Sequence, residues 1–117
     1  MKKLISALLL LAYSSASSAI VVDCAGRVTT LTLGVGGNDG LVIMSLANGP
    51  QYQYLCSVTT AYNGTSPAAC RQMYQTLVLA KISGATMMFR FDGYSSCTAI
   101  PAWAPAPITS GWNTVLD

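Results

Sequence analysis

Four cysteines in a chain of 117 residues constrain this fold more than any other feature of the sequence. An even number of cysteines in a short exported chain usually forms disulfides rather than metal sites or catalytic thiols. We favour the pairs Cys56–Cys70, closing a short loop onto a predicted helix, and Cys24–Cys97, joining the first predicted strand to a late one. Each disulfide would contribute about 2–4 kcal/mol to a domain whose core alone gives only marginal stability. Free buried thiols are the alternative, while a zinc site is disfavoured because the chain has no histidine and no C-x-x-C pair.

The first 19 residues have the pattern of a secretion signal. Lys2 and Lys3 precede an apolar run at 4–13, and small residues follow up to Ala19. Such a run is too short to span a bilayer, although an N-terminal anchor helix is the alternative interpretation. We therefore predict a signal peptide over residues 1–19 and a single disulfide-stapled β-rich domain over residues 20–117. The protein would be exported to the periplasm or the extracellular space, with no stable membrane span after cleavage near Ala19.

Cleavage changes the charge of the chain. Without Lys2 and Lys3, four cations face four aspartates, so the formal net charge falls from +2 to zero. No basic patch is left to neutralise a run of phosphates, which argues against a nucleic-acid partner. A neutral surface opposes self-association only weakly, so the charge does not argue against a homo-oligomer.

The pattern of apolar residues predicts a β-rich chain with one helix. Strands are predicted at 27–33, 41–46, 52–58, 86–92 and 97–100, with a glycine-rich turn at 34–40 and a last edge strand at 112–116. The proline-rich residues 101–107 are expected to be extended on the surface and unable to pair normally. Ser66 as N-cap, Pro67 at the first helical position and Gly84 as terminator delimit the helix.

The element order is that of a small OB-like five-stranded barrel, in which one helix lies between strands 3 and 4. We predict this fold, an α+β (β-rich) fold with two disulfides. A meander with the helix packed on an open sheet is the alternative.

Five segments also carry a resemblance: 55–56, 62–67, 70–74, 80–81 and 100–101. They resemble a family of short, uncharacterised exported proteins of Gram-negative bacteria with four cysteines. In that family a cysteine, a loop ending in S-P and a second cysteine precede an amphipathic helix, and C-x-x-I-P and A-P-A-P follow later. The resemblance covers nearly all of residues 20–117. It implies export and a similar fold, but no activity.

More distantly, the layout is similar to the OB-fold B subunits of subtilase-cytotoxin and pertussis-like toxins. That similarity implies pentamers that bind glycans. No sugar-contacting residue of those subunits can be placed on this sequence.

The inventory of side chains argues against an enzyme. The chain contains no histidine and no glutamate, and its four aspartates are scattered. General acid–base and nucleophilic catalysis normally need such groups close together. We therefore predict no catalytic residue, no cofactor and no metal. Asn63-Gly64-Thr65 matches the N-glycosylation pattern, but we interpret it as a turn.

Aromatic residues are the best candidates for binding, because tyrosine and tryptophan offer a large contact area at little entropic cost. Those in predicted strands and loops are Tyr52, Tyr54, Tyr62, Tyr94, Trp103 and Trp112. We select Trp103, Tyr62 and Tyr94 as ligand-binding candidates, with core packing as the competing interpretation.

These observations predict a non-catalytic secreted or periplasmic binding module whose ligand is an unknown protein or glycan. One alternative is a glycan-binding oligomer like a toxin B subunit. Another is a periplasmic inhibitor or an envelope structural factor.

Overall fold

The computed structural model describes residues 20–34 and 40–116, and the side chains of residues 20–34 and 40–108. The predicted signal peptide and most of the glycine-rich turn lie outside these residues. The described elements are β1 (Val21–Leu33), β2 (Leu41–Leu46), β3 (Gln53–Ser57), α1 (Pro67–Ser83), β4 (Thr86–Asp92), a 3₁₀ turn (Cys97–Ala99), β5 (Ala104–Pro105) and β6 (Ile108–Leu116).

Strand β1 belongs to both halves of the sheet. Its first half pairs antiparallel with β4, from Val21 opposite Asp92 to Arg27 opposite Thr86. Its second half pairs antiparallel with β2, after a bulge that follows Val28. A long, bent first strand that pairs on both sides makes the sheet curl rather than lie flat.

Gly26 allows the close backbone approach where β1 changes partner. The Ala47 N–H donates to the Arg27 carbonyl over 2.8 Å. A Cβ on Gly26 would lie only 2.6 Å from the Ala47 carbonyl oxygen. Because that oxygen is backbone, it cannot move aside as a flexible side chain would. A larger residue at position 26 would therefore push β1 away from the turn after β2.

The C-terminal segment pairs with both outer strands of the sheet. The strand order is β5-β3-β2-β1-β4-β6, with β5 parallel to β3 and β6 antiparallel to β4. Only Ala106 and Pro107 separate β5 from β6, and they connect the two edges directly. The Ala106 N–H donates to Tyr54 in β3 over 2.9 Å, and the Pro107 carbonyl accepts from the Asp92 N–H in β4 over 2.6 Å.

This topology confirms the predicted fold class. The structure is a curled mixed sheet with one helix between its third and fourth strands, a small β-rich α+β fold that is OB-like. In a simple meander each strand would pair with its neighbour in sequence, whereas here β1 pairs with β4 and β3 with β5.

Two predictions on the C-terminal half are wrong. Residues 97–100 are not a strand, because the Ser96 hydroxyl accepts from the Thr98 N–H and starts a 3₁₀ turn at Cys97. Residues 101–107 do pair in part, since β5 joins β3. The Ala106 N–H donates to Tyr54 in β3 and the Trp103 N–H to Tyr52 just before β3, so Pro105 is not required to donate. The predicted last strand at 112–116 begins earlier, at Ile108.

The core lies between the concave side of the sheet and α1. The helix packs against β1, β3 and β4. Its buried residues recur at helical spacing, and β4 alternates buried with half-buried residues. The predicted caps are confirmed: the Ser66 hydroxyl accepts from the Ala69 N–H, and Gly84 ends the helix with φ of 71°. The largest fully buried side chains include Phe89, Phe91, Met44, Leu46, Leu55 and Leu77.

Both predicted disulfides are confirmed. Cys56 at the end of β3 is bonded to Cys70 in the first turn of α1, and Cys24 in β1 to Cys97 in the 3₁₀ turn. The first joins the helix to the sheet, and the second joins the loop after β4 to the sheet. No helix within residues 20–34 and 40–116 has the length and hydropathy needed to cross a bilayer.

An ion pair fastens the first half of β1 to β4 on the outer surface. Arg90 donates from Nε to Asp23 Oδ1 over 2.8 Å and from Nη2 to Oδ2 over 3.1 Å. These hydrogen bonds from Arg90 hold the pKa of the Asp23 carboxyl below its usual value of 3.8. Because the pKa is lowered in the folded state, this contribution to stability is present above that value and is lost as the pH falls below it.

Candidate binding site

Two aromatic rings stack where the turn before β3 meets the segment before β5. The ring centroids of Tyr52 and Trp103 lie 4.1 Å apart, and the ring planes are within 5° of parallel. Trp103 is 60 % exposed. Since Tyr52 covers one face of the indole, this exposure lies on the other face and on the ring edges. We call Tyr52 and Trp103 together the aromatic platform.

Both residues of the platform have a left-handed backbone. Tyr52 has φ of 49° and Trp103 has φ of 57°. This conformation is uncommon for bulky side chains and costs of order 1–3 kcal/mol per residue. Hydrogen bonds hold it in place: the Tyr52 N–H donates to Ser45 Oγ over 2.8 Å, and the Trp103 N–H to the Tyr52 carbonyl over 3.0 Å.

Gln53 anchors the segment that carries Trp103. Its side chain is fully buried, and Nε2 donates to the Pro101 carbonyl over 2.8 Å and to the Gln51 carbonyl over 2.9 Å. The bond to Pro101 joins two segments that are 48 residues apart in sequence. Strand β5 starts directly after Trp103, so the tryptophan is fixed from both sides. The oxygen Oε1 of Gln53 is buried and has no hydrogen-bond partner among the described residues.

Tyr62 lies in a neighbouring tight turn. Its N–H donates to Thr65 and its carbonyl accepts from Thr65, over 3.1 and 2.9 Å. Burial, and then the nearby Tyr54, raise the pKa of the Tyr62 phenol, which therefore stays neutral at physiological pH. The phenol is half-buried, so it offers a ligand less surface than Trp103.

Asn63 ties this turn to the C-terminal segment. Its Nδ2 donates to the Ala106 carbonyl over 2.7 Å and to the Leu55 carbonyl over 3.3 Å. Both amide protons are therefore used inside the protein, and Asn63 itself has φ of 53°. The sequence Asn63-Gly64-Thr65 is a turn, as predicted.

Tyr94 has a different environment. It is half-buried and packs against the hydrophobic core from the loop after β4. Among the described residues, no ring contact joins Trp103, Tyr62 and Tyr94 to one another. Of the three candidates, Trp103 is the most exposed, and its ring stacks on Tyr52. No sequence signal links Tyr52 to Trp103, because left-handed φ values and long-range stacking have no local pattern.

The outer face of α1 is a second exposed apolar surface. Leu79 is 68 % and Ile82 is 79 % exposed. A shallow groove of about 390 Å³ lies beside them, lined by Tyr74, Gln75, Val78 and Leu79. The described residues contain no group of three or more histidine, cysteine, aspartate or glutamate side chains that could hold a metal ion.

Comparison with known proteins adds no relative to this description. No family model, no curated protein and no solved structure matches the chain.

Proposed function

We propose that this chain is a non-catalytic, exported binding module and that the aromatic platform is its ligand contact. The observation that carries the proposal is an exposed tryptophan ring backed by a stacked tyrosine, with both residues in left-handed backbone conformations. Strained backbone that the surrounding structure maintains is concentrated at functional sites. Tryptophan and tyrosine are also the residues that most often dominate binding energy.

The preorganisation of the platform supports this proposal. The stacked pair, the Ser45 hydroxyl and the buried Gln53 amide fix the indole before any ligand arrives. A ligand therefore meets a flat ring whose rotamer freedom has already been lost, which lowers the entropic cost of binding. Two disulfides and the charge-poor sequence fit an exported module whose ligand is a neutral glycan or a protein surface.

Trp103→Ala should weaken ligand capture by at least about 30-fold, the effect of losing a central binding residue. Oxidised protein covering residues 20–117 would be applied to an array of immobilised neutral oligosaccharides and, separately, to immobilised cell-envelope proteins. Leu79→Ser is the matched control, because it removes an equally exposed apolar side chain from α1. Tyr62→Ala and Tyr94→Ala test whether these residues belong to the same site.

The circular dichroism of Trp103→Ala should match that of the wild type, since the ring is largely exposed, and the thermal midpoint should fall by only a few degrees through loss of the stack on Tyr52. If capture by a folded Trp103→Ala variant equals that of the wild type, the platform is not the contact. If Leu79→Ser abolishes capture instead, the ligand binds the helix face.

A second candidate function is a ring-forming, glycan-binding oligomer. The exposed Leu79 and Ile82 beside the groove on α1 favour it, because such residues on a helix often pack against another subunit. Sedimentation at tens of micromolar should then show an oligomer that Leu79→Ser dissociates. A strict monomer at that concentration would remove this candidate.

A further inference from the structure

The two disulfides differ in their access to solvent. Cys56 and Cys70 are both completely buried between β3 and α1. Cys24 is also buried, but Cys97 is only half-buried and lies in a 3₁₀ turn whose neighbouring residues 95, 96, 98 and 99 are exposed. A reductant can therefore reach the sulfur of Cys97 from solvent, whereas it reaches the Cys56–Cys70 bond only after α1 leaves the sheet.

The accessible disulfide holds the segment that carries Trp103. Residues 93–103 connect β4 to β5, and Cys97 is their covalent attachment to β1. Beyond it the segment depends on the buried side chain of Ile100 and on the hydrogen bond from Gln53 to Pro101. Two residues after Pro101, the Trp103 N–H donates to the Tyr52 carbonyl.

We infer that Cys24–Cys97 is a reducible tether of the aromatic platform. A dithiol reductant opens this bond before it opens Cys56–Cys70. The opened segment then holds Trp103 only through the buried Ile100 and the hydrogen bonds to Pro101 and Tyr52, so the stack on Tyr52 loosens. The folded sheet and helix remain, because Cys56–Cys70 stays closed and the core residues other than Cys24 take no part in the reaction. Loss of ligand binding on reduction rests on the proposed function, whereas loosening of the stack does not.

The chemical step is thiol–disulfide exchange. A thiolate of the dithiol attacks Cys97 Sγ and forms a mixed disulfide. The bond to Cys24 Sγ breaks, and Cys24 leaves as a thiolate that takes a proton. The second thiolate of the reductant then attacks the reductant's other sulfur, which is bonded to Cys97 in the mixed disulfide. The bond to Cys97 Sγ breaks, and Cys97 leaves as a thiolate that takes a proton. Two electrons pass to the protein, which gains two thiols, and the reductant becomes a cyclic disulfide.

Dithiothreitol titration tests this tether directly. Aliquots of the oxidised protein are alkylated and mapped by mass spectrometry, which reports when each cysteine pair opens. Emission of Trp103 is followed in a Trp112→Phe background, because the chain has two tryptophans. Far-UV circular dichroism is recorded on the same samples, with Cys24→Ser/Cys97→Ser as the permanently opened form.

We expect Cys24 and Cys97 to be alkylated at least about tenfold faster than Cys56 and Cys70, since the latter need an opening of the core. The Trp103 emission should change together with this first reaction while the circular dichroism is retained. If Trp112→Phe does not fold, hydrogen exchange of residues 94–103 in the wild type replaces the emission.

Three outcomes would overturn the inference: simultaneous alkylation of both pairs, loss of circular dichroism at the first opening, or an unchanged signal from Trp103. None of these readouts uses a ligand. A failed tether therefore leaves the proposed function standing, and a failed Trp103→Ala binding test leaves the tether standing.

Discussion

Replacing both Cys24 and Cys97 by alanine should lower the free energy of unfolding by about 4 kcal/mol, against about 3 kcal/mol for Cys56→Ala/Cys70→Ala. The cross-linked cysteines are 73 residues apart in the first pair and 14 in the second. A longer closed loop restricts the unfolded chain more, and this entropic term dominates in the loop-closure model.

Urea unfolding of the two variants and the wild type measures this ranking. The slope of the unfolding free energy against urea concentration should also increase more for Cys24→Ala/Cys97→Ala than for the other double variant, because its unfolded chain expands further. Each double variant is the control for the other. An equal or reversed order would mean that packing of the buried Cys56 and Cys70 sulfurs outweighs the chain entropy.

Gln53→Glu should lower the unfolding free energy by about 3–5 kcal/mol at neutral pH, the usual effect of an uncompensated buried charge. The Gln53 amide donates to two carbonyl oxygens, from Gln51 and Pro101, and an ionised carboxylate would face both without a proton to donate. The substitution should also loosen the Pro101 segment and with it the aromatic platform.

The destabilisation by Gln53→Glu should depend on pH. Burial raises the pKa of the introduced carboxyl in the folded state above its value of about 4.3 in the unfolded chain. The folded variant therefore holds its proton more tightly, so stability is greatest below about pH 4.3 and falls as the pH rises, until the folded-state pKa is passed.

Chemical unfolding between pH 5 and pH 8, expressed relative to the wild type at each pH, checks this sign. Gln72→Glu is the matched control, since Gln72 is exposed on α1 and the same change in charge should have little effect there. A Gln53→Glu variant as stable as Gln72→Glu, or one that gains stability with rising pH, would contradict the buried position of this amide.

Local patterns in the sequence predicted the parts of the fold that depend on nearby residues. The bounds of β2 follow from a short, almost fully buried apolar run, those of β4 from alternating burial, and the ends of α1 from Ser66 and Gly84. The Cys56–Cys70 pair follows once the helix and β3 are placed, because the helix start lies beside the end of β3. Cys24–Cys97 is then the pair that remains.

The remaining features depend on contacts between distant segments. The first half of β1 escaped prediction because Ala25 and Gly26 interrupt the apolar alternation, while the close approach of Ala47 makes that glycine necessary. Strand β5 was missed because proline normally ends pairing, yet Trp103 and Ala106 supply the donors. Selecting Trp103 as a candidate was possible from its residue type alone. Its partner Tyr52 and its anchor Gln53 become visible only when the chain is folded.

Because Ala106 and Pro107 bridge the two rims of the sheet, a single short stretch protects both at once. A chain truncated before residue 104 would expose the edges of both β3 and β4. Each edge would then have unpaired backbone N–H and C=O groups that can pair with a strand of another molecule. Such a fragment would have two different exposed edges. Pairing between the β3 edge of one molecule and the β4 edge of the next would form open filaments rather than closed dimers. Residues 104–116 therefore both complete the sheet and cover the edges of β3 and β4.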